Sequence, residues 1–413
     1  MESARLIAGL TRLVRDVDLA EELAQDALLA ALEHWPHAGV PENPGAWLMA
    51  TAKRRGIDEL RRHSRLTKKH EQLGHELRAD AASEGDRLAR RLDEKLDEAV
   101  DDDLLRLLFV ACHPVLSMEA RAALTLRLLG SLTNEEIARA FLVPEPTIAQ
   151  RIVRAKRTLA EQHVPFEVPR GAELTERLAS VLGVIYLIFN EGYAATAGDD
   201  LMRPGLCEDA LRLGRVLVQL VPEEPEAYGL LALMELQASR MPARLGPTGQ
   251  AVLLLDQNRS RWDQLLIRRG LGALERAQQL GGGAGPYALQ AAIAACHARA
   301  ATAEQTDWSR IALLYGALVQ VTHSPIVELN RAVAVGMADG PAAGLRIVDA
   351  LASEPVLSNY HLLPSVRGDL LEKLGRSAEA ANQFDHAASL TKNVRERELL
   401  LGRAAACRSR QET

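Results

Sequence analysis

The sequence predicts an all-α protein, and three observations lead there. Apolar residues recur at helical spacing almost from the start: Leu6, Leu10, Leu13 and Val14, then Leu19, Leu23, Ala27 and Leu32, the spacing of one helix face. Ala, Leu, Glu and Arg dominate while aromatic residues make up only 4% of the chain, a composition of good helix formers. No segment alternates with period two for long enough to build a sheet.

In chain order, residues 4 to 34 carry that periodicity, and Trp35-Pro36 closes it. HAGVPENPG is a loop, and AWLMATAKRRGIDELRR, from Ala46 to Arg62, is the next helix, burying Trp47, Leu48, Ile57 and Leu60. The stretch 66–103 is strongly charged with few apolar positions, which predicts a mobile or weakly helical linker. Residues 104–164 form a compact helical unit, and VPFEVPR, with two prolines, marks a boundary. From 165 to 413 the chain is helix after helix with short breaks. Leu370 to Leu390 follows tetratricopeptide spacing, with Leu374-Gly375, Ala378, Phe384 and Ala387 in the signature places. Such hairpins bury their apolar faces only by stacking on one another.

The most informative segment is SLTNEEIARAFLVPEPTIAQRIVRAKRTLAE, Ser131 to Glu161. Thr133 caps a first helix and Glu136 closes a capping box. Val143-Pro144-Glu145-Pro146 breaks the helix, and Thr147 starts a second one. At about 100° per residue, Ile148, Ile152, Ala155 and Leu159 share one side. Thr147, Gln150, Arg151, Arg154 and Arg157 share another. That set supplies long donors for base edges and cations for phosphates, as a recognition helix requires; an ordinary amphipathic helix with a solvated basic face has the same pattern.

Composition narrows the function. Across 413 residues the formal net charge is −6, so any nucleic-acid contact must come from local basic patches. Four scattered cysteines without a CxxC pair predict reduced thiols and a cytoplasmic home. The N-terminus lacks a signal-peptide layout, and no apolar run approaches the roughly 18 residues of a membrane helix. Gly281 to Gly285 lacks the G-K-[ST] of a phosphate loop, and Cys112-His113 lacks the further ligands of a zinc site. No metal, cofactor or enzymatic activity is expected.

DLAEELAQDALLAALEHW places Glu22, Gln25 and Asp26 on one acidic-polar face, and the following helix exposes Lys53, Arg54, Arg55, Arg61 and Arg62. These two blocks and the helix pair at 131–161, in this order, resemble a group IV (extracytoplasmic-function) sigma factor of bacterial RNA polymerase. The resemblance covers roughly the first 165 residues. The long tail is similar to the subgroup with a C-terminal tetratricopeptide-like extension. It implies two small helical sigma domains, region 2 over 1–65 and region 4 over 104–164, with a helical-repeat domain over 165–413. It further implies that Glu22, Gln25 and Asp26 dock on the β′ clamp helices, and that region 4 meets the β flap. Lys53, Arg54, Arg55, Asp58, Arg61 and Arg62 would then lie at the −10 element, and Thr147, Gln150, Arg151, Arg154 and Arg157 at the −35 element. The competing reading is a helix-turn-helix regulator with a helical sensing domain, which would leave the first two blocks unexplained.

Two polar knots sit among the apolar helices of the tail: Asn190-Glu191-Gly192-Tyr193, and Asp256 to Asp263 with Arg259, Arg261 and Trp262. The second is either a capped helix start, with Asp256 or Ser260 as cap, or, like the first, a contact surface toward sigma region 2 or core polymerase. The second alternative makes the tail a regulator in cis, held at high effective concentration by its tether.

Overall fold

The computed structural model describes residues 2–54, 96–141, 143–194, 201–247 and 249–410. Among these there is no strand beyond one isolated bridge, Leu245 with Ala251. The helices divide into two compact units, Met1–Val184 and Ile185–Thr413.

The first unit contains α1 (Glu2–Val14), α2 (Val17–Ala38), α3 (described over residues 44–54), α4 (Leu96–Ala111), α5 (Met118–Leu128), α6 (Asn134–Phe141), α7 (Glu145–Glu161) and the first half of α8 (Ala172–Tyr193). Asp16 caps α2 by accepting from the amides of Asp18 and Leu19. The helix does not stop at Trp35-Pro36. It runs on to Ala38, where Gly39 turns to φ 83° and donates its amide to the Trp35 carbonyl, a conformation open to glycine. Ala20, Leu23, Ala24, Ala27 and Ala31 face inward. Leu32, expected beside them, is 72% exposed, because it lies nearly half a turn round from Leu23.

The predicted linker is shorter than 66–103. α4 already begins at Leu96, and Asp103 is 1% exposed with Arg106 at 2.6 Å and Arg12 at 3.3 Å. Cys112 ends up buried just past α4, against Thr125 Oγ1 at 3.3 Å, and burial pushes its thiol up to about 12. The compact unit also extends past the expected boundary at 164. Arg177 donates to the Phe109 carbonyl (2.9 Å) and Ser180 to the Cys112 carbonyl (2.6 Å), so the start of α8 closes over the end of α4.

The second unit continues with α9 (Pro204–Leu220), α10 (Pro225–Ala238), α11 (Gln264–Gln279), α12 (Pro286–Arg299), α13 (Trp308–Thr322), α14 (Pro325–Ala338), α15 (Pro341–Leu351), α16 (Leu362–Lys373), α17 (Ser377–Leu390) and α18 (Val394–Ser409). Five of these open on proline, where the missing amide would have had no helical partner anyway. Neighbouring helices in sequence pack on one another, as stacked hairpins do. The last layer is sealed by Phe384, fully buried, with Ala380, Ala381, Ala387 and Ala388. Ala378, assigned to the repeat signature, is exposed.

Close approach is the rule at the crossings. The glycine run at 281–285 wraps the start of α10: a Cβ on Gly282 would stand 2.2 Å from Pro225 and one on Gly285 2.2 Å from Glu226. Glu226 in turn accepts the amides of Tyr287 (2.8 Å) and Ala288 (3.1 Å) at the start of α12, satisfying donors that have no partner within the helix. Gly229 lies one turn along, where an added Cβ would come 2.7 Å from the Ala288 nitrogen. Gly229→Ala should therefore destabilise the C-terminal unit by about 1–3 kcal/mol. Gly272→Ala, in the exposed middle of α11 with nothing within 4 Å, should stabilise it by about 0.4–1 kcal/mol. Calorimetric unfolding of the two variants checks the opposite signs.

Candidate nucleic-acid interface

The helix pair at 131–161 forms as a helix-turn-helix. Glu136 accepts the Thr133 amide at 2.8 Å and Thr133 Oγ1 accepts the Glu136 amide at 3.2 Å, closing the capping box. The backbone hydrogen bond from Thr133 is also the main reason the Glu136 carboxyl titrates below its ordinary value. The second helix starts earlier than Thr147: Pro146 is accommodated in its first turn, where proline costs no hydrogen bond. Ile148, Ile152, Ala155 and Leu159 are buried. Thr147, Gln150, Arg151 and Arg154 line a groove of about 320 Å³ shared with Val115, Leu116, Ser117 and Ala120 at the start of α5. Arg157 is not part of it; its guanidinium turns to Glu161 at 2.7 Å. Among the described residues neither Arg151 nor Arg154 is engaged in an ion pair, so both forks are available to an outside acceptor.

On α2, Glu22 and Gln25 are exposed and Asp26 is half-buried; Gln25 donates to Glu21 at 2.9 Å. The same face carries Leu29 (58% exposed) and Leu32, an apolar extension that the sequence reading missed. Asn43 caps α3 through the Ala46 amide at 3.0 Å. Trp35 and Trp47, both half-buried, meet edge to face at 5.5 Å, with His34 stacked on Trp47 at 5.8 Å. Lys53 is half-buried and Arg54 exposed at the end of the described part of α3; Arg55, Asp58, Arg61 and Arg62 lie outside the described residues.

α2 and α7 are joined through Glu21, which is 5% exposed. Arg127 of α5 reaches one carboxylate oxygen at 2.6 Å and Lys156 of α7 the other at 2.6 Å, while Lys156 also meets Asp18 at 2.6 Å. Burial alone would lower the Lys156 pKa, but its bonds to Asp18 and Glu21 outweigh that and raise it. A cleft of about 770 Å³ runs along this seam, with Arg12, Arg15 and His163 facing Asp16 and Glu167.

Residues 2–66 match the family Sigma-70 region 2, and residues 106–159 match Sigma-70, region 4. The chain belongs to the sigma-70 family. Residues 177–278 of this sigma factor match a further family, one of unknown function, in its C-terminal extension. An uncharacterized protein of Rhizobium meliloti (strain 1021) is 45% identical over 390 residues, 94% of this chain and 90% of that one. Among solved structures, the crystal structure of the yeast Tom70 aligns over 97% of this chain and 84% of that chain, at 11% identity and a TM-score of 0.39.

Sigma-70 regions 2 and 4 make this a factor for promoter-specific transcription. No helix among the described residues is long and apolar enough to cross a membrane. In the extension, Asp263, not Asp256 or Ser260, caps α11, accepting the amides of Leu265 and Leu266. Asp256 and Arg261 are exposed and Asn190 half-buried. Arg259 and Trp262 serve the interior: both are buried, with Arg259 over the Trp262 ring at 4.9 Å and bonded to the His297 and Ala300 carbonyls. Tyr193 lies under Arg244 at 3.9 Å.

The seam gives a test. Replacing both Arg127 and Lys156 by Ala leaves the Glu21 carboxylate buried without a counter-charge and should cost about 3–5 kcal/mol. Adding Glu21→Gln should recover most of that, since a neutral amide needs no cation. Amide hydrogen exchange over residues 2–54 in the double and triple variants reads the difference.

Proposed function

We propose that this sigma factor binds core RNA polymerase in the cytoplasm, recognises −10 and −35 promoter elements with separate helices, and is controlled in cis by its C-terminal unit. Its first unit supports the reading by carrying two unlike surfaces at once. The α2 face of Glu22, Gln25 and Asp26, continued by exposed Leu29 and Leu32, combines an acidic rim with apolar area, as a protein-docking surface does. It is the face assigned to the β′ clamp helices, region 4 being assigned to the β flap. The Thr147, Gln150, Arg151 and Arg154 groove offers fork donors for guanine edges and phosphates. Lys53 and Arg54, with Arg55, Asp58, Arg61 and Arg62 beyond them in sequence, are assigned to the −10 element. A helix-turn-helix regulator without polymerase contact would need the second surface alone.

With region 2 and region 4 joined through Glu21, the described arrangement is a closed one. The −10 and −35 elements are about 25 base pairs apart by their positions, on the order of 80 Å of duplex at 3.4 Å per pair. Both can be occupied only after Lys156 leaves Asp18 and Glu21.

Co-elution with core polymerase separates the two readings: the sigma factor should co-elute and the regulator should not. In promoter footprints, Arg151→Ala or Arg154→Ala should weaken upstream protection by about 1–3 kcal/mol if the arginine contacts a base. Arg54→Ala should instead slow open-complex formation more than initial binding. Unchanged upstream protection in both groove variants would show that the recognition face has been misplaced.

The control role is tested by truncation, and the structure moves the cut. A chain ending near Val164 would strip α8 from Phe109 and Cys112, so the stop belongs after Ala194. That chain should show reduced transcription from the cognate promoter, because the extension is required rather than inhibitory. Full or raised activity from a soluble truncation would reverse that assignment.

A further inference from the structure

Three arginines of the C-terminal unit, Arg240, Arg244 and Arg259, lie near one another without an ion-paired carboxylate among the described residues. Arg240 follows α10 after Ser239; its guanidinium lies 5.9 Å from the centre of the Tyr193 ring, and its Nε is buried with no hydrogen-bond partner. Arg244 covers the Tyr193 ring at 3.9 Å and donates to the Tyr193 carbonyl. Arg259 is 9% exposed and spends its fork on neutral acceptors: the carbonyls of His297 (2.7 Å) and Ala300 (2.8 Å) and the Thr306 hydroxyl (2.9 Å). Its Nε is also unpartnered, as are Nδ1 of His297 and Oε1 of Gln257, both more than nine-tenths buried.

These groups feel one another. The charge of Arg240 lowers the pKa of Arg244, Arg259 and His297, in each case after burial, and it also acts on the Tyr315 hydroxyl. Among the described residues none of the three arginines has a carboxylate within ion-pair distance. The acids that reach them electrostatically are Glu304, which is fully exposed, and Glu396, which is already held by His361 at 3.2 Å and Thr391 at 2.8 Å. In a chain carrying 55 acidic residues against 49 basic ones, such an arrangement is unusual. Buried cations are ordinarily paired, and ring faces and carbonyls compensate only part of their lost hydration.

The geometry points to a binding site in the C-terminal unit for a small organic oxyanion, a carboxylate or a phosphate, held by the guanidinium forks of Arg240 and Arg244 against the Tyr193 ring. Planar forks match the two oxygens of such a group. Two turns before Tyr193 on the same face of α8, Tyr186 meets Tyr287 edge to face at 5.4 Å and donates to Gln290 at 3.1 Å. That lining suits a ligand with a flat apolar body attached to its charge. The site joins the two polar knots of the sequence, at 190–193 and 256–263, within one unit. It does not rest on the sigma reading; only its consequence for transcription would.

The full chain is titrated with benzoate, phenyl phosphate, inorganic phosphate and neutral benzyl alcohol, following tryptophan fluorescence, since Trp262 lies under Arg259 and Trp308 against His297. Saturable binding is expected for at least one aromatic anion and none for benzyl alcohol. Comparing benzoate with phenyl phosphate identifies the oxyanion. Arg240→Gln and Arg244→Gln should each weaken binding at least about tenfold, the loss of one charge-assisted contact, and surface Arg276→Gln should not. A second readout guards against misfolding. In the absence of ligand, Arg240→Gln should raise the melting temperature by relieving repulsion, whereas loss of a purely structural arginine would lower it. Absence of saturable anion binding by the folded chain, equal binding by the Gln variants, or a lowered melting temperature for Arg240→Gln overturns the site.

Discussion

The first unit depends on one buried carboxylate. Glu21 projects from α2 into a space where water cannot solvate it, and two cations from α5 and α7 supply what water would have given. Either cation alone leaves one oxygen poorly compensated, so α2, α5 and α7 are fixed together or not at all. Ion pairs of this kind contribute little net stability against an apolar alternative but are costly to break from one side. The consequence is specificity of arrangement more than depth of the energy well. On the proposed function, the two promoter-reading helices would sit together in this arrangement and far apart on the promoter. A seam of ion pairs suits that better than an apolar seam would. A partner's charges could replace its cations, and the Glu22, Gln25 and Asp26 face adjoins the same carboxylate. Polymerase docking on that face and opening of the seam would thus act on neighbouring groups of one helix.

What the sequence made legible was local. The capping box and the four buried positions of α7 follow from spacing of three or four residues, and the structure has them. What escaped was the charge that acts across the fold. The period of α2 sets Glu22 opposite the buried stripe and Glu21 only at its edge; what buries Glu21 as a charge is Arg127 and Lys156, more than a hundred residues away. Asp103 was read as linker because its neighbours are acidic, although Leu104, Leu107 and Leu108 continue a helix upstream to it. Leu32 was placed inside on apolarity alone, against its angle on the helix. At the candidate interface Thr147, Gln150, Arg151 and Arg154, one face by the helical period, line one groove, whereas Arg157 lies outside it with its guanidinium on Glu161, one turn on.

The C-terminal unit shows the opposite economy. Its helices cross on glycine and alanine at distances where one added methyl would collide, as at Gly229, Gly270 and Gly344. Such interfaces are close to fully packed, and packed interfaces shift between discrete arrangements rather than deforming gradually. Set into that stiff frame are Arg240, Arg244 and Arg259, which among the described residues have no carboxylate at ion-pair distance and feel only Glu304 and Glu396 from further off. An anion arriving there would change the electrostatic balance among α8, α10, α12 and the 239–263 segment together, because Arg240 acts on Arg244, Arg259 and His297 alike. A ligand can bias a two-state element only through a difference in affinity between its states. Uncompensated charge held in a rigid frame is a direct way to build that difference, since neutralising it favours whichever arrangement brings the guanidinium groups closest.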